Sequence, residues 1–248
     1  MRFGCAAVPA LTVLLAGGTG DAADLPLNGI ALGTSVRAAA QTLGPPTAVI
    51  SSDSGNGFAF AGGATAYADD DGIVLAVELR SGSPRIDVDG TPRTFAIGAY
   101  STQRADADLA EVAEFATPTV RSYRLAPRRD LVLGFGPSSR RLERVTYGEP
   151  GQLARLGLLP GDGATKAVAY HAPQRRPAGA ATVRGPRTTV YRVAIDRAGN
   201  VRKVDVVIPS SAPDADADLG RGLMSERYLP ATLDGRPIAA SVFIELRH

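Results

Sequence analysis

The residue types that most often carry out chemistry in proteins are scarce in this sequence of 248 residues. It contains two histidines, His171 and His248, and one cysteine, Cys5. Structural zinc sites take about four Cys or His ligands, and neither histidine has a cysteine near it in the chain. A Ser-His-Asp triad would need one of these histidines, and neither lies in a nucleophile-elbow motif. The sequence therefore predicts neither a zinc site nor a hydrolase of this kind.

Closely spaced carboxylates occur at two places. Asp214, Asp216 and Asp218 alternate as in a calcium loop, but Leu219 replaces the glycine such a loop requires and its closing glutamate is missing. Asp69–Asp71 precede a glycine and are typical of a hairpin turn. No pair of carboxylates is singled out for glycosidase chemistry, and no glycine-rich phosphate loop precedes a helix. We predict a protein that is not an enzyme and binds no metal or cofactor.

Charge gives no reason to expect nucleic acid as a partner. The net charge is +2, and acidic and basic residues are interspersed. The pairs Arg128-Arg129 and Arg175-Arg176 are far from the continuous basic stripe that nucleic-acid binding needs.

The first residues are typical of a secretory signal peptide. Arg2 is followed by the apolar run Ala6–Ala16 and by small residues that favour cleavage near Ala22. We therefore expect residues 1–22 to be removed on export to the periplasm, leaving no permanent membrane span. Cys5 lies ahead of the apolar run, too early for lipid attachment, so the mature protein is expected to lack cysteine.

Residues 25–159 are expected to form an α+β domain. A helix begins at the cap Thr34-Ser35, carries Val36 and Leu43 on one face, and ends at Gly44-Pro45-Pro46. Alternation and turn residues predict strands at 48–51, 58–60, 65–68 and 73–79.

The second half of this domain has a similar order of elements. Asp106 or Asp108 is expected to cap a helix that carries Leu109, Val112 and Phe115. Strands are predicted at 120–125, 131–135 and 142–147. Two helix-plus-antiparallel-meander units, an internal duplication, account for this order.

Residues 29–46 resemble the repeat of β-lactamase-inhibitor-like proteins and of small outer-membrane lipoproteins, through Leu32-Gly33-Thr34-Ser35 and Gly44-Pro45-Pro46. Those are envelope binding modules with helices on an antiparallel sheet. The alternative is convergent turn chemistry in an ordinary α+β domain. Residues 160–187, rich in Gly, Pro and Arg and without periodicity, are predicted to be a linker.

The last part, residues 188–248, predicts a ββαβ unit. Strands over 189–196 and 201–208 are joined by a turn at Arg197–Asn200. A helix follows, started by the aspartates at 214–218, with Leu219, Leu223 and Met224 on its packing face. A last strand covers 239–246.

This segment resembles the TonB C-terminal domain family. The resemblance rests on its opening hairpin, on Arg227-Tyr228-Leu229-Pro230-Ala231 and on Asp234-Gly235-Arg236-Pro237. The matching residues are expected to set the fold: Tyr228 buries its ring, Pro230 and Ala231 follow the helix, and Asp234, Gly235 and Pro237 lead into the last strand.

The resemblance implies binding through the edge of the last strand by β-strand addition. The residues concerned are Ser241, Val242, Phe243, Ile244, Glu245 and Leu246. The partner would be an outer-membrane receptor or a second copy of this chain. Proline in place of Ile244 is predicted to abolish such pairing.

Two functions remain open. The first is a periplasmic protein-binding protein accessory to energy-coupled outer-membrane transport. The second is an envelope adaptor or inhibitor whose N-terminal domain recognises the partner while the TonB-like module dimerises. The chain shows neither the uncleaved membrane helix nor the long Pro-rich span of the family's energy transducers, so the complete transducer role is not expected.

Overall fold

The computed structural model describes residues 27–88, 90–109, 113–126, 129–159, 170–175 and 187–248. Within these ranges the chain is α+β, with mostly antiparallel sheets and few helices. The predicted signal peptide, its cleavage site near Ala22 and most of the predicted linker lie outside them. Among the helices described, none has the length and apolar character needed to cross a bilayer.

The N-terminal part, up to residue 159, contains three helices and ten strands. In chain order they are α1 (Val36–Leu43), β1 (Ala48–Ser52), β2 (Gly55–Phe60), β3 (Ala64–Ala68), β4 (Val74–Leu79), β5 (Arg85–Val88), β6 (Thr91–Thr94), α2 (Thr102–Leu109), β7 (Ala113–Ala116), β8 (Val120–Ala126), β9 (Arg129–Phe135), β10 (Leu142–Gly148) and α3 (Pro150–Arg155).

Eight of these strands form one antiparallel sheet in the order β1-β2-β3-β4-β10-β9-β8-β7. Each half is a four-stranded meander, and each meander follows a helix in the chain. The halves meet at the centre, where β4 pairs with β10 and Val145 lies opposite Leu79. Apolar alternation along these strands places Phe58, Val77 and Leu133 in a fully buried core.

Helix α1 closes this core at the end nearest the C-terminal part. Ser35 caps it by accepting a hydrogen bond from the Ala38 amide at 3.2 Å, and Gly44 ends it with φ of 83°. Val36 and Ala39 point inward and are buried. The opposite face of the sheet is covered by α3, whose Leu153 packs on Ala76 and Val132.

The second helix differs from its prediction. It spans Thr102–Leu109, and the residues near Phe115 belong to strand β7 instead. The cap is Ser101, whose Oγ accepts from the Arg104 amide at 3.3 Å. Asp106 is used in an ion pair with Arg121 at 2.7 Å, so it is not available as a cap. The predicted helix was therefore placed too late in the chain.

In the described residues, the C-terminal part contains one helix and eight strands. They are β11 (Tyr170–His171), β12 (Gln174–Arg175), β13 (Thr188–Ile195), β14 (Val201–Ile208), α4 (Pro213–Met224), β15 (Tyr228–Leu229), β16 (Ala231–Leu233), β17 (Arg236–Ile238) and β18 (Ala240–Arg247).

Three long strands form an antiparallel sheet in the order β14-β13-β18. Helix α4 covers one face, where Tyr191, Val193 and Leu223 are buried together. Leu219 is half-buried against this core, whereas Met224 is 46% exposed, contrary to its predicted place on the packing face. The apolar side chains of the alternating strands face α4, and the opposite face of the sheet packs partly against the N-terminal part.

The described piece of the predicted linker, residues 170–175, is built into the C-terminal part. Strand β11 pairs with β16, and β12 pairs with β15. Arg175 also donates to Glu226 at 2.7 Å. Two-residue strands carry no periodicity, which is why the composition of this stretch resembles a linker. Residues 170–175 therefore belong structurally to the C-terminal part, which includes residues that precede the predicted boundary at residue 188.

Candidate functional site

Strand β18, the strand that the family resemblance singles out, has two distinct faces. Val242, Ile244 and Leu246 point towards α4 and join its core. Ser241 and Phe243 point the other way, towards the N-terminal part, and both are buried. The alternation predicted for this strand is present, and both faces are occupied.

The outer backbone edge of β18 lies against β1. The Phe243 amide donates to Ser51 Oγ at 3.0 Å, and the Ser241 amide donates to Asp70 Oδ2 at 3.5 Å. Arg247 Nη2 donates to the Thr47 carbonyl at 2.9 Å. These are bonds through side chains, not the backbone ladder of a continuous sheet. We call this contact between β1 and β18 the seam.

The outward direction of the Phe243 amide corrects the expectation for Ile244. Successive amides along a strand point to opposite sides, so the Ile244 amide points inward, at β13. Ile244 lies opposite Tyr191 in that pairing. Proline at Ile244 would break the β13–β18 ladder and the fold, and Glu245 is the position whose amide faces outward.

The buried ring of Phe243 stabilises the seam. It is 4% exposed and meets Phe58 edge to face, with ring centroids 5.0 Å apart. It also contacts the turn between β3 and β4, where a Cβ on Gly72 would lie 3.5 Å from it. Next to it, Arg192 pairs with Asp71 at 2.8 Å. The C-terminal sheet thus completes the core of the N-terminal part.

The motif residue Tyr228 has the buried position expected for it. Its ring is 2% exposed, and its hydroxyl donates to Glu226 Oε2 at 3.1 Å. Burial, followed by the nearby carboxylate of Glu226, raises the pKa of Tyr228 well above its usual range. Its amide donates to the carbonyl of Gly199 at 3.0 Å, which ties α4's exit to the first hairpin.

The remaining motif residues shape the chain between α4 and β18. Ala231 is fully buried, Pro230 is half-buried, and Pro237 is exposed. Asp234 and Gly235 have φ of 48° and 75° and form the turn between β16 and β17. They position β18 and take no part in its outer edge.

A buried carboxylate in this part was interpreted from sequence as a helix cap. Helix α4 has Ala212 at its cap position and no side-chain cap. Asp216 is instead 3% exposed, and its Oδ1 accepts from Ser210 Oγ at 2.7 Å and lies 3.3 Å from His248 Nε2. Thr189 Oγ1 donates to it as well. The sequence did not indicate this role, because Asp216 lies between two similar aspartates, Asp214 and Asp218, that are exposed on the helix.

These contacts lower the pKa of Asp216. Burial by itself would raise it, but the hydrogen bonds from Thr189, Ser210 and His248 outweigh burial. A carboxyl whose pKa is lower in the folded state stabilises the fold above its unfolded pKa, about 4, and loses this effect as pH falls through the folded pKa.

Replacing Asp216 with asparagine is therefore expected to reduce the stability at neutral pH by about 1–3 kcal/mol. The amide nitrogen would stand where a carboxylate oxygen accepts hydrogen bonds, and it cannot accept them. The same change should flatten the loss of stability below about pH 4. Urea denaturation as a function of pH measures both. Asp218→Asn on the same helix is the control, since that side chain is 69% exposed. Equal acid sensitivity of Asp216→Asn and the parent protein would contradict the assignment.

A cleft of about 440 Å³ lies beside the seam, between α1 and the ends of β13 and β14. Arg37, Gln41, Arg187 and Ser210 are among its polar lining residues, and Ile208 is among its apolar ones. The cleft exists only because the two parts of the molecule pack together.

No arrangement suited to metal binding is found where the structure describes the chain: three or more His, Cys, Asp or Glu side chains are not grouped there. His171 pairs with Asp53 at 3.1 Å, and Asp53 Oδ1 accepts from the Ala172 amide at 2.7 Å. The backbone bond from Ala172, then the bond from His171, lowers the pKa of Asp53. These contacts join the two parts of the molecule.

Comparison with known proteins assigns this chain to no family. No protein-family model matches it, and no curated protein does. A solved structure of a cysteine-rich secretory protein from Staphylococcus aureus subsp. aureus Mu50 superposes with a TM-score of 0.31 and 12% identity, over 51% of this chain and 47% of that one. The superposition thus spans about half of either chain, and at this TM-score it supports no inference about function.

Proposed function

We propose that this is a periplasmic, non-enzymatic protein-binding protein whose TonB-like C-terminal module binds an extended segment of its partner along β18. The observation that supports the proposal is the way the outer edge of β18 is satisfied. Its amides at Ser241 and Phe243 bond to the side chains of Asp70 and Ser51. A partner strand would replace these bonds with a full ladder, at a gain of backbone hydrogen bonds.

Binding at this edge requires the seam to open. The side-chain bonds are few, and the Ser51 hydroxyl is only partly buried. The ring of Phe243 is the larger obstacle, because it is packed in the core. The partner must therefore compensate for the lost seam, which favours a specific, high-affinity partner. An outer-membrane receptor of energy-coupled transport is the class we propose.

A second function is favoured by the same geometry. Because β18 is covered by β1, the module's other edge strand, β14, is the more accessible one. In this alternative the protein is an envelope adaptor or inhibitor. Its two helix-plus-meander units recognise the partner, and its C-terminal module dimerises.

Chemical crosslinking in intact envelopes, followed by purification of the full-length protein, distinguishes these functions. Glu245→Pro removes an outward amide from β18 and is expected to abolish capture of an outer-membrane receptor. Ser51→Ala combined with Asp70→Ala weakens the seam and is expected to increase that capture severalfold. Ser52→Ala is the control, because that hydroxyl bonds to Gly55 within its own turn at 3.2 Å.

Identification of the captured protein by mass spectrometry decides the outcome. Unchanged capture by Glu245→Pro, with the fold intact by circular dichroism, would exclude pairing along β18. Capture that survives Glu245→Pro but is lost on changes to the eight-stranded sheet would favour the adaptor.

A further inference from the structure

The three-stranded sheet has a second edge, formed by strand β14. Strand β14 lies at the end of the order β14-β13-β18, and no strand within the described ranges pairs with its outer side. Val206 is 39% exposed there. The side chains of Lys203 and Asp205 are 69% and 37% exposed and pair with each other at 2.8 Å. β14 is eight residues long, and its regular part, residues 203–206, lies between two register shifts in its pairing with β13. An edge of this kind is a template for pairing unless it is blocked.

The direction of each amide on β14 follows from the seam. The Phe243 amide points away from β13, so its neighbour Arg192 directs its own amide towards β14. Arg192 lies opposite Asp205, so the Asp205 amide points inward. The amides of Val204 and Val206, which flank Asp205, therefore point outward. Arg202 lies at a register shift in the pairing with β13, and the alternation does not extend to it.

This alternation limits how β14 could pair with a second copy of itself. In an antiparallel pair, outward-facing residues must lie opposite outward-facing residues. One allowed register centres on Val204 and places Lys203 opposite Asp205 of the second copy, twice by symmetry. The register one step to either side places Lys203 opposite Lys203, or Asp205 opposite Asp205, and like charges directly opposite destabilise a ladder.

The Val204 register also gives the greatest strand overlap of the registers without a like-charge pair, and Val204 itself lies in the regular part of β14, residues 203–206. Lys203 and Asp205 would form non-hydrogen-bonded pairs, in which opposing side chains lie closest. Charged residues usually protect an edge from pairing. Here their order blocks the neighbouring registers and leaves one favourable.

We propose that β14 is a self-association surface, through which two copies form a two-fold symmetric dimer with Val204 at the axis. The sheet would then run through six strands in the order β18-β13-β14-β14-β13-β18. The two seams remain at its outer ends, so this surface is separate from the β18 edge. The inference goes beyond partner binding along β18 and specifies the dimerisation in the adaptor alternative.

Charge reversal on the full-length protein tests the register. In a dimer of the Lys203→Asp variant, an aspartate at position 203 of one copy lies opposite Asp205 of the other. In a dimer of Asp205→Lys, two lysines lie opposite each other in the same way. Either variant is expected to dimerise at least about tenfold more weakly. When the two variants are mixed, each aspartate again meets a lysine, and the heterodimer is expected to form. Sedimentation equilibrium measures all three samples. Arg85→Asp is the control for net charge, since this exposed residue lies on β5, far from β14 in the chain.

Restored association in the mixture also shows that both variants are folded. A parent protein that stays monomeric at its highest soluble concentration would overturn the proposal. Variants that dimerise as well as the parent protein would overturn it too, because association would then use another surface. Neither result depends on the partner of β18, which the Glu245→Pro experiment tests separately.

Discussion

Replacing Gly199 with alanine is expected to destabilise the C-terminal module by about 3 kcal/mol, a large fraction of the total stability of an ordinary protein. Gly199 has φ of 80°, in the left-handed region, where a side chain costs roughly 1–2 kcal/mol. A Cβ at this position would also lie 2.0 Å from the carbonyl oxygen of Tyr228. Because that contact is with backbone, the collision can be relieved only if the hydrogen bond between the Tyr228 amide and the Gly199 carbonyl lengthens. Overpacking of this kind typically adds about 1–3 kcal/mol.

Gly235→Ala is the matched control for this prediction. Gly235 has φ of 75°, but no atom lies within 4 Å of where its Cβ would be. It therefore reports the cost of the backbone conformation without the collision. Urea denaturation of both variants measures the difference in free energy of unfolding. If the two substitutions cost the same, the close approach between Gly199 and Tyr228 does not contribute.

Elements defined by local periodicity were predictable from the sequence. The strands β13, β14 and β18 begin and end within about two residues of their predicted bounds, as is usual for such boundaries. Helix α1 has the capping residue expected for it, Ser35. In each case a run of alternating or helically spaced apolar residues lies between clear turn residues, so the information is local.

Elements that depend on distant residues were not predictable. Strands β11 and β12 are two residues long and exist because β16 and β15 pair with them. Strand β6, with the sequence TPRT, has no apolar alternation and contains proline. Asp216 becomes a buried hydrogen-bond acceptor only because Thr189 and Ser210 converge on it. Most of these contacts join residues that are distant in the chain, so no pattern within a short stretch of sequence predicts them.

The seam is the main feature that sequence reasoning missed at the candidate site. Ser51 and Phe243 are separated by 192 positions in the chain, and neither is unusual in its own segment. The apolar Phe243 on the polar face of β18 was the one available signal, because it breaks the alternation of that face. An unshielded strand edge promotes aggregation, and the seam protects this one.

The position of Phe243 gives the second large expected effect. Phe243→Ala is expected to lower the free energy of unfolding by about 3–5 kcal/mol, because it leaves a cavity where a buried ring meets Phe58. Ile50→Ala on the adjacent strand is the control, since Ile50 is 61% exposed and should change stability by less than about 0.5 kcal/mol.

This substitution also tests whether the ring holds the strand edge closed. With Phe243 truncated, the amides at residues 241 and 243, which bond across the seam, should exchange with solvent faster than in the parent protein, while those of β13 that pair with β14 stay protected. Hydrogen exchange under native conditions separates the two sets. If all amides of the sheet exchange faster together, the ring supports the whole fold. If only the outer amides of β18 do, the seam opens as a local unit, which is the motion that binding of a partner strand requires.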